Sequence, residues 1–414
     1  MSHFHCPNDY TRNLKILFIG ERDHAQCAQR LARAINAHAL TVEGVDSAQP
    51  VARVCVLRPH PFGYAEDITG DANQSPAEFY RAKVRQVVRD HLFSGRNQWV
   101  ITTGDSTRVT YDLVEMLLKE YDADGTPPGM VEAGCYESPT PGDPYEALRL
   151  CRRINLGVLH VGSLYRKQWD RLDRRDYHLS ARVRFISPDS LGDNYARCGD
   201  PTDYHERDYI YPHTGLADLL HVDGQRRRFK REPYPVIVHS PSSTDTKGTH
   251  AIREALHDLG ARFDFHYREI TKMAYRDCVA AREGGHIYLD QFNPAVGGFG
   301  YAAVEAAAQG MAPIATTNKI DPQAYRDNGL PVPPVLSCEG GLKEVVAGLL
   351  ADPDALLRAR ISAYNWVYDG GASLSVAARY VIRSLMETAG DPDNGRRVPR
   401  ILIGPDGKVH RSIA

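Results

Sequence analysis

The feature that most constrains this chain is a hydrophobic period that keeps switching between two and three-and-a-half. KILFIG (15–20), VARVCVL (51–57), WVITTGD (99–105) and GVLHVGS (157–163) read as buried strands. Between them, HAQCAQRLARAINAH (24–38), SPAEFYRAKVRQVVRDHLF (75–93) and TRVTYDLVEMLLKEYD (107–122) carry apolar residues at helical spacing, the first with Asp23 as its expected N-cap. Strands separated by helices of this length return to the sheet by crossovers, so they run parallel and are covered on both faces. Turn sequences TPPG (126–129) and TPGDP (140–144) punctuate this half.

The pattern then stops and starts again. After GQRRRFKR (224–231), Pro233 and Pro235 come the strand VIVHS (236–240), the helix THAIREALHDL (249–259) and the strand RFDFHYR (262–268). The helix TKMAYRDCVAAR (271–282), the strand HIYLDQF (286–292), a helix over 300–309 and the strand APIATT (312–317) follow, then helices over 340–351, 353–368 and 373–388. A chain of 414 residues exceeds one ordinary core. The break predicts an α/β protein of two facing Rossmann-like domains, 1–232 and 233–370. Residues 371–414 form a C-terminal helix and tail that cross back to the first domain, with a small hairpin across GPDGK. Open parallel sheets bind ligands at the carboxyl ends of their strands, so two such domains share one interdomain cleft.

Several functions are excluded. Hydrophobic residues make up 42% and charged ones 25%, and no apolar run approaches the roughly 20 residues that span a bilayer. The first residues, MSHFHCPNDYTRN, lack a charged-then-apolar leader pattern, so a cytoplasmic protein is expected. None of the eight cysteines forms a CxxC pair, which argues against zinc and disulfide frameworks. His3, His5 and Cys6 read as frayed chain, and Asp122-Ala123-Asp124 before Gly125 as a helix terminator, so neither a metal nor a cofactor is expected. FIGERDHAQ after the first strand is not GxGxxG, and GxxxxGK[ST] is absent, which excludes the dinucleotide and P-loop phosphate sites.

Two strand-to-helix loops carry chemistry. GGFGYAAVE (297–305) puts Gly297, Gly298, Phe299 and Gly300 at a helix start and Glu305 about a turn and a half inside. Unpaired amides and the helix dipole there favour an anion, and glycine lets a phosphate or sugar come close. Helical side chains lean back toward the N-terminus, so Glu305 can accept hydrogen bonds from a vicinal diol. The plainer reading, a glycine turn beside a surface Glu, fits the spacing equally well. HSPSSTDTKGT (239–249) offers hydroxyls from Ser242 and Ser243 and a point charge from Lys247 for a diphosphate, or an ordinary solvated lysine.

Together, VIVHSPSSTDTKGTHAIREAL and HIYLDQFNPAVGGFGYAAVEAAAQGMAPIATT resemble the donor half of retaining glycosyltransferases of the GT-B fold, the GT4-like group, across roughly 233–320. The resemblance implies a nucleotide-sugar co-substrate, UDP- or GDP-linked. Glu305 would hold its ribose, Lys247 its diphosphate, and the loop Gly298–Gly300 its sugar and phosphate. Gly20 and Arg22, on the loop after the first strand, would lie across the cleft, with Arg22 a further diphosphate ligand. Two departures stand out: the family's usual pair of glutamates is spaced by seven residues, and here Gly297 takes the first position; and a Ser-rich run replaces the frequent Arg ahead of the Lys. On the acceptor side, His24, His160 and Asp105 stand near strand ends, each also readable as a structural residue.

Charge points to the acceptor. Residues 149–185 hold ten Arg or Lys against three Asp, and 224–231 hold five basic residues, while the whole chain is at −2. Arg166 and Lys167 stand among Tyr165, Trp169 and Tyr177, a combination suited to a polyanion. The same residues also read as an exposed helix with ion pairs such as Arg166–Asp170. The acceptor expected first is a hydroxymethylated base in DNA, with a polysaccharide or lipid-linked glycan in competition. A sugar-nucleotide epimerase and a non-catalytic polyanion-binding protein are the alternatives from other classes.

Overall fold

A computed structural model of the chain describes residues 14–20, 27–39, 51–58, 68–69, 83–93, 98–103, 155–160, 183–186, 208–210, 229–293, 298–318, 320, 322–327 and 331–368. Near the C-terminus it describes helical residues 377, 378, 381, 382 and 385 and strand residues 400–403 and 409–412.

The first sheet has seven parallel strands: β1 (Lys15–Gly20), β2 (Ala52–Val56), β3 (Ile68–Thr69), β4 (Gln98–Thr103), β5 (Asn155–His160), β6 (Val183–Ile186) and β7 (Asp208–Ile210), in the order β3-β2-β1-β4-β5-β6-β7. Phe18 of β1 pairs with Val54 on one side and Ile101 on the other, so the strand order reverses between β1 and β4. Helix α1 (Cys27–Ala39) lays Cys27, Leu31 and Ile35 against Ile16, Phe18, Val54 and Trp99. Ala377, Ala378, Val381, Ile382 and Leu385 belong to this same core. Helix α2 (Arg85–Phe93) stands between β3 and β4 in the chain.

The second sheet has five parallel strands: β8 (Val236–His239), β9 (His266–Glu269), β10 (Ile287–Leu289), β11 (Ala312–Ala315) and β12 (Leu336–Ser337), ordered β12-β11-β10-β8-β9. Its helices are α3 (Thr244–Lys247), α4 (Thr249–Gly260), α5 (Tyr275–Arg282), α6 (Tyr301–Ala308), α7 (Pro322–Asp327), α8 (Leu342–Ala351) and α9 (Pro353–Tyr368). Successive strand residues face opposite sides. Val238 and Tyr288 pack with Phe299, Val304 and Trp366 of the α6–α9 layer, while Ile237, Ile287 and Leu289 pack with Ile252, Leu256 and Val346 of the α4–α8 layer. Two residues past the end of α6, Gly310 takes φ 82°, which lets Met311 N–H reach Ala306 O at 3.0 Å and Gly310 N–H reach Ala307 O at 2.9 Å.

Most expected strands and helices are present within two or three residues, and the tail hairpin forms from β13 (Arg400–Ile403) and β14 (Val409–Ser412). Four differences stand out. The short strands β3, β6, β7 and β12 were not expected, nor was α7. The loop 241–248 contains α3. The strand read as 262–268 begins only at His266, and the helix read as 271–282 only at Tyr275. The helix expected over 107–122 lies outside the described residues, as do residues 75–82 of the helix expected over 75–93 and most of the helix expected over 373–388.

Candidate donor site

In the second sheet the strand order reverses between β8 and β10, and the crevice beyond their carboxyl ends is where an open α/β sheet takes a ligand. His239 closes β8, fully buried. Its Nδ1 lies 2.7 Å from Leu289 O and its Nε2 2.9 Å from Thr249 Oγ1. Burial pushes the imidazole below its ordinary value, so Nδ1–H donates to the carbonyl and Nε2 accepts the threonine hydroxyl. One neutral side chain thus ties β8, β10 and the start of α4 together.

Past His239 the chain turns through the exposed Ser242 and Ser243 into α3. Gly248 then takes φ 71°, a left-handed conformation that favours glycine, and a Cβ there would stand 3.2 Å from Phe292 Cβ. Phe292 N–H donates to Lys247 O at 3.2 Å, which stitches the lysine loop to the end of β10. Lys247 Nζ donates to Asp290 Oδ1 at 2.7 Å and to Gln291 Oε1 at 3.1 Å. Asp290 Oδ2 accepts the amide of Gly300, and Gln291 Nε2 donates to Gly298 O. A Cβ on Gly300 would stand 3.1 Å from Lys247 Nζ. The two loops singled out in the sequence, 54 residues apart between Lys247 and Tyr301, meet in one crevice. The Phe299 ring is turned away into the core against Trp366, at 6.2 Å between centroids.

Glu305 is not a surface residue; it is 4% exposed. Its Oε2 accepts Arg282 Nη2 at 2.5 Å, and its Oε1 accepts Tyr275 OH at 3.1 Å together with Arg30 Nη2. Arg30 Nη2 also donates to Tyr275 OH at 2.7 Å. Burial pushes the Glu305 carboxyl up, but the guanidiniums of Arg30 and Arg282 and their hydrogen bonds together hold it below the usual carboxylate range. Arg30 comes from α1 of the first sheet, so this network bridges the two halves. Tyr301, at the start of α6, also packs on the first sheet's core.

Of the other expected site residues, Gly20 is the last residue of β1 and His160 the last of β5, both at carboxyl ends of the first sheet. Arg22, His24, Asp105, Arg166, Lys167 and Gly297 lie outside the described residues, as do most of the two basic segments. Five partners were not foreseen: Arg30, Tyr275, Arg282, Asp290 and Gln291. Arg30 left one signal, an arginine within the apolar stripe of α1 made by Cys27, Leu31 and Ala34. Asp290 left another, an acid ending the apolar run HIYL.

No protein-family model matches the sequence, and no curated protein matches it. Solved structures do. An alpha-glucosyltransferase in complex with UDP and a 13-mer DNA containing a HMU base superposes with a TM-score of 0.51 at 11% identity, covering 90% of this chain and 99% of that one. The fold is GT-B. The catalytic domain of starch synthase IV from Arabidopsis thaliana, bound to ADP and acarbose, gives a TM-score of 0.51 at 10% identity, covering 91% and 100%. The N-terminal domain of Candida albicans trehalose-6-phosphate phosphatase gives 0.54 at 9% identity, covering 91% and 97%. None of the described helices is long and apolar enough to cross a membrane.

Proposed function

We propose that this GT-B chain is a retaining glycosyltransferase that moves a sugar from a UDP- or GDP-sugar to an acceptor hydroxyl. The observation that carries the reading is the meeting of the lysine loop and the glycine loop at the β8/β10 switch point, with Lys247 Nζ against Gly300. An ammonium has three N–H donors. Two of Lys247's are taken by Asp290 and Gln291, and its side chain keeps 14% exposure. The third serves the donor diphosphate, with the start of α6 adding its dipole. As the glycosidic bond breaks, charge grows on the departing diphosphate, and a fixed ammonium stabilises that charge more than the ground state. The diphosphate in turn takes the proton of the acceptor hydroxyl on the same face, which retains the anomeric configuration. Glu305, the ribose ligand that the resemblance implies, is held by Arg30, Tyr275 and Arg282, so a ribose hydroxyl reaches it only where one of these partners gives way.

For the acceptor we propose a hydroxymethylated base in DNA. The basic segments 149–185 and 224–231 suit a phosphate backbone, and the alpha-glucosyltransferase of the same fold is bound to UDP and DNA. Such a base leaves the stack to reach a cleft. The test is a panel of nucleotide sugars, each with and without duplex DNA carrying 5-hydroxymethylcytosine or 5-hydroxymethyluracil, read by nucleoside diphosphate release and by the mass of the DNA. The expected result is release that rises with the modified DNA, a hexose or pentose added to the strand, and loss of both in Lys247→Ala. Release indifferent to DNA moves the acceptor to a glycan or lipid-linked glycan. Conversion of a donor sugar with no acceptor identifies an epimerase, and no turnover of any donor overturns the enzyme reading.

A further inference from the structure

A site that receives a diphosphate has a buried carboxylate at its centre, which electrostatics alone would disfavour. Asp290 is 1% exposed and takes one donor from each loop, Lys247 Nζ on Oδ1 and Gly300 N–H on Oδ2. Its own amide is held by Ile314 O at 3.0 Å on the neighbouring strand β11, so the carboxylate projects from a rigid base. Lys247, by contrast, is a point charge on a flexible four-carbon stem with no preferred direction of its own. Gly300 is the residue before α6, where a ligand anion would otherwise find a free amide.

We propose that Asp290 is the positioning residue of this site: it aims the Lys247 ammonium and fixes the glycine loop, at a cost in nucleotide affinity. This rests on the glycosyltransferase reading above. Two of the three Lys247 N–H groups are pinned by Asp290 and Gln291, both at the end of β10, which leaves the third with one direction. The same negative charge repels the diphosphate it helps to receive. Affinity and turnover are therefore set against each other at one carboxylate, and neutralising it separates them.

The experiment compares wild type, Asp290→Asn, Lys247→Ala and the double variant. It measures kcat from nucleoside diphosphate release, Kd for UDP, GDP and ADP by calorimetry, and the thermal midpoint. Asp290→Asn is expected to bind the cognate nucleotide as tightly or a few-fold more tightly, while kcat falls about 100-fold, the scale of a misplaced reacting group. On the Lys247→Ala background, where the residual release is followed with enzyme in excess over donor, the same substitution should cost far less than in wild type, because no ammonium is left to aim and only the hold on Gly300 is lost. Unchanged kcat and Kd with a lowered midpoint would make Asp290 a structural cap and overturn the assignment. A parallel loss of binding and kcat would make it a direct ligand and overturn it too, as would an equal kcat loss on the Lys247→Ala background. If Asp290→Asn does not fold, Asp290→Glu keeps the charge but moves it, and is expected to cut kcat by more than 10-fold with nucleotide binding retained; unchanged kcat there overturns the assignment. A wild-type protein that binds none of the three nucleotides overturns the glycosyltransferase reading itself, whereas intact binding with an indifferent Asp290 overturns only this inference.

Discussion

Replacing Glu305 by Gln changes almost no volume and removes one buried charge. In the native chain that carboxylate stands between two guanidiniums whose side chains are 1% and 2% exposed, and its own is 5% exposed. The amide keeps one acceptor oxygen, but its NH2 then faces a donor, either Arg282 Nη2 or the pair of Arg30 Nη2 and Tyr275 OH. Removing one partner of a buried ion pair costs about 3–5 kcal/mol, because the remaining charge stays buried and unpaired. Two arginines share this single carboxylate, so the upper part of that range applies. At ~2–4 °C per kcal/mol for domains of this size, a loss near 4 kcal/mol lowers the thermal midpoint by ~8–16 °C. Differential scanning calorimetry of wild type and Glu305→Gln measures this directly. Because Arg30 belongs to the other half of the molecule, the double variant Arg30→Met/Glu305→Gln should be less destabilised than the sum of its single variants, by ~0.5–3 kcal/mol of coupling. A shift under about 2 °C, far below the range expected for a broken buried pair, would refute the reasoning. It would mean that the guanidiniums find other partners and that Glu305 does not hold the two halves together.

Further predictions concern the two loops and one half-buried histidine. Gly300→Ala introduces no backbone strain at φ −97°, but its Cβ stands 3.1 Å from Lys247 Nζ and 3.4 Å from Asp290 Oδ2. It is expected to cut kcat by roughly 10-fold while the midpoint holds; equal activity would contradict the crevice geometry. Gly248→Ala forces a Cβ into φ 71° beside Phe292, and is expected to cost ~1–2 kcal/mol in a denaturant melt. Burial pushes the His91 imidazole from 6.5 down to about 4, despite the hydrogen bond of its Nε2 to Trp99 O at 2.9 Å. Neutral in the fold yet protonated in the unfolded chain, His91 makes stability fall by roughly 3 kcal/mol as pH drops from about 6.5 to about 4. His91→Gln should flatten that part of the midpoint-against-pH curve, and an unchanged slope would contradict it.

The parallel architecture was legible because apolar period and helix length together leave few other folds. KILFIG and the helix over 353–368 appear with the bounds the sequence suggested. The short elements were not legible. β12 is two residues long, and α3 is four residues of TDTK with no apolar stripe, so both arise from their neighbours' hydrogen bonds rather than from local preference. For the site, glycines and a lysine at loop ends pointed to the crevice, since those residue types have a local reason to be there. The Glu305 network had no such signal, because Arg30 meets it across 275 positions of chain and Arg282 across 23. Spacing along a sequence shows which residues share a helix face, not which two faces meet. The reading of Glu305 as a residue reaching outward was therefore open on spacing, and its burial between two arginines follows from packing alone.

The measurement that tests the central claim most directly is a crystal structure of the chain with its preferred nucleoside diphosphate. The account predicts the diphosphate beyond the carboxyl ends of β8 and β10, within hydrogen-bond reach of Lys247 Nζ and against the main chain of Gly298–Gly300. A nucleotide seated anywhere else, for example at the carboxyl ends of β1 and β4 alone, would contradict it.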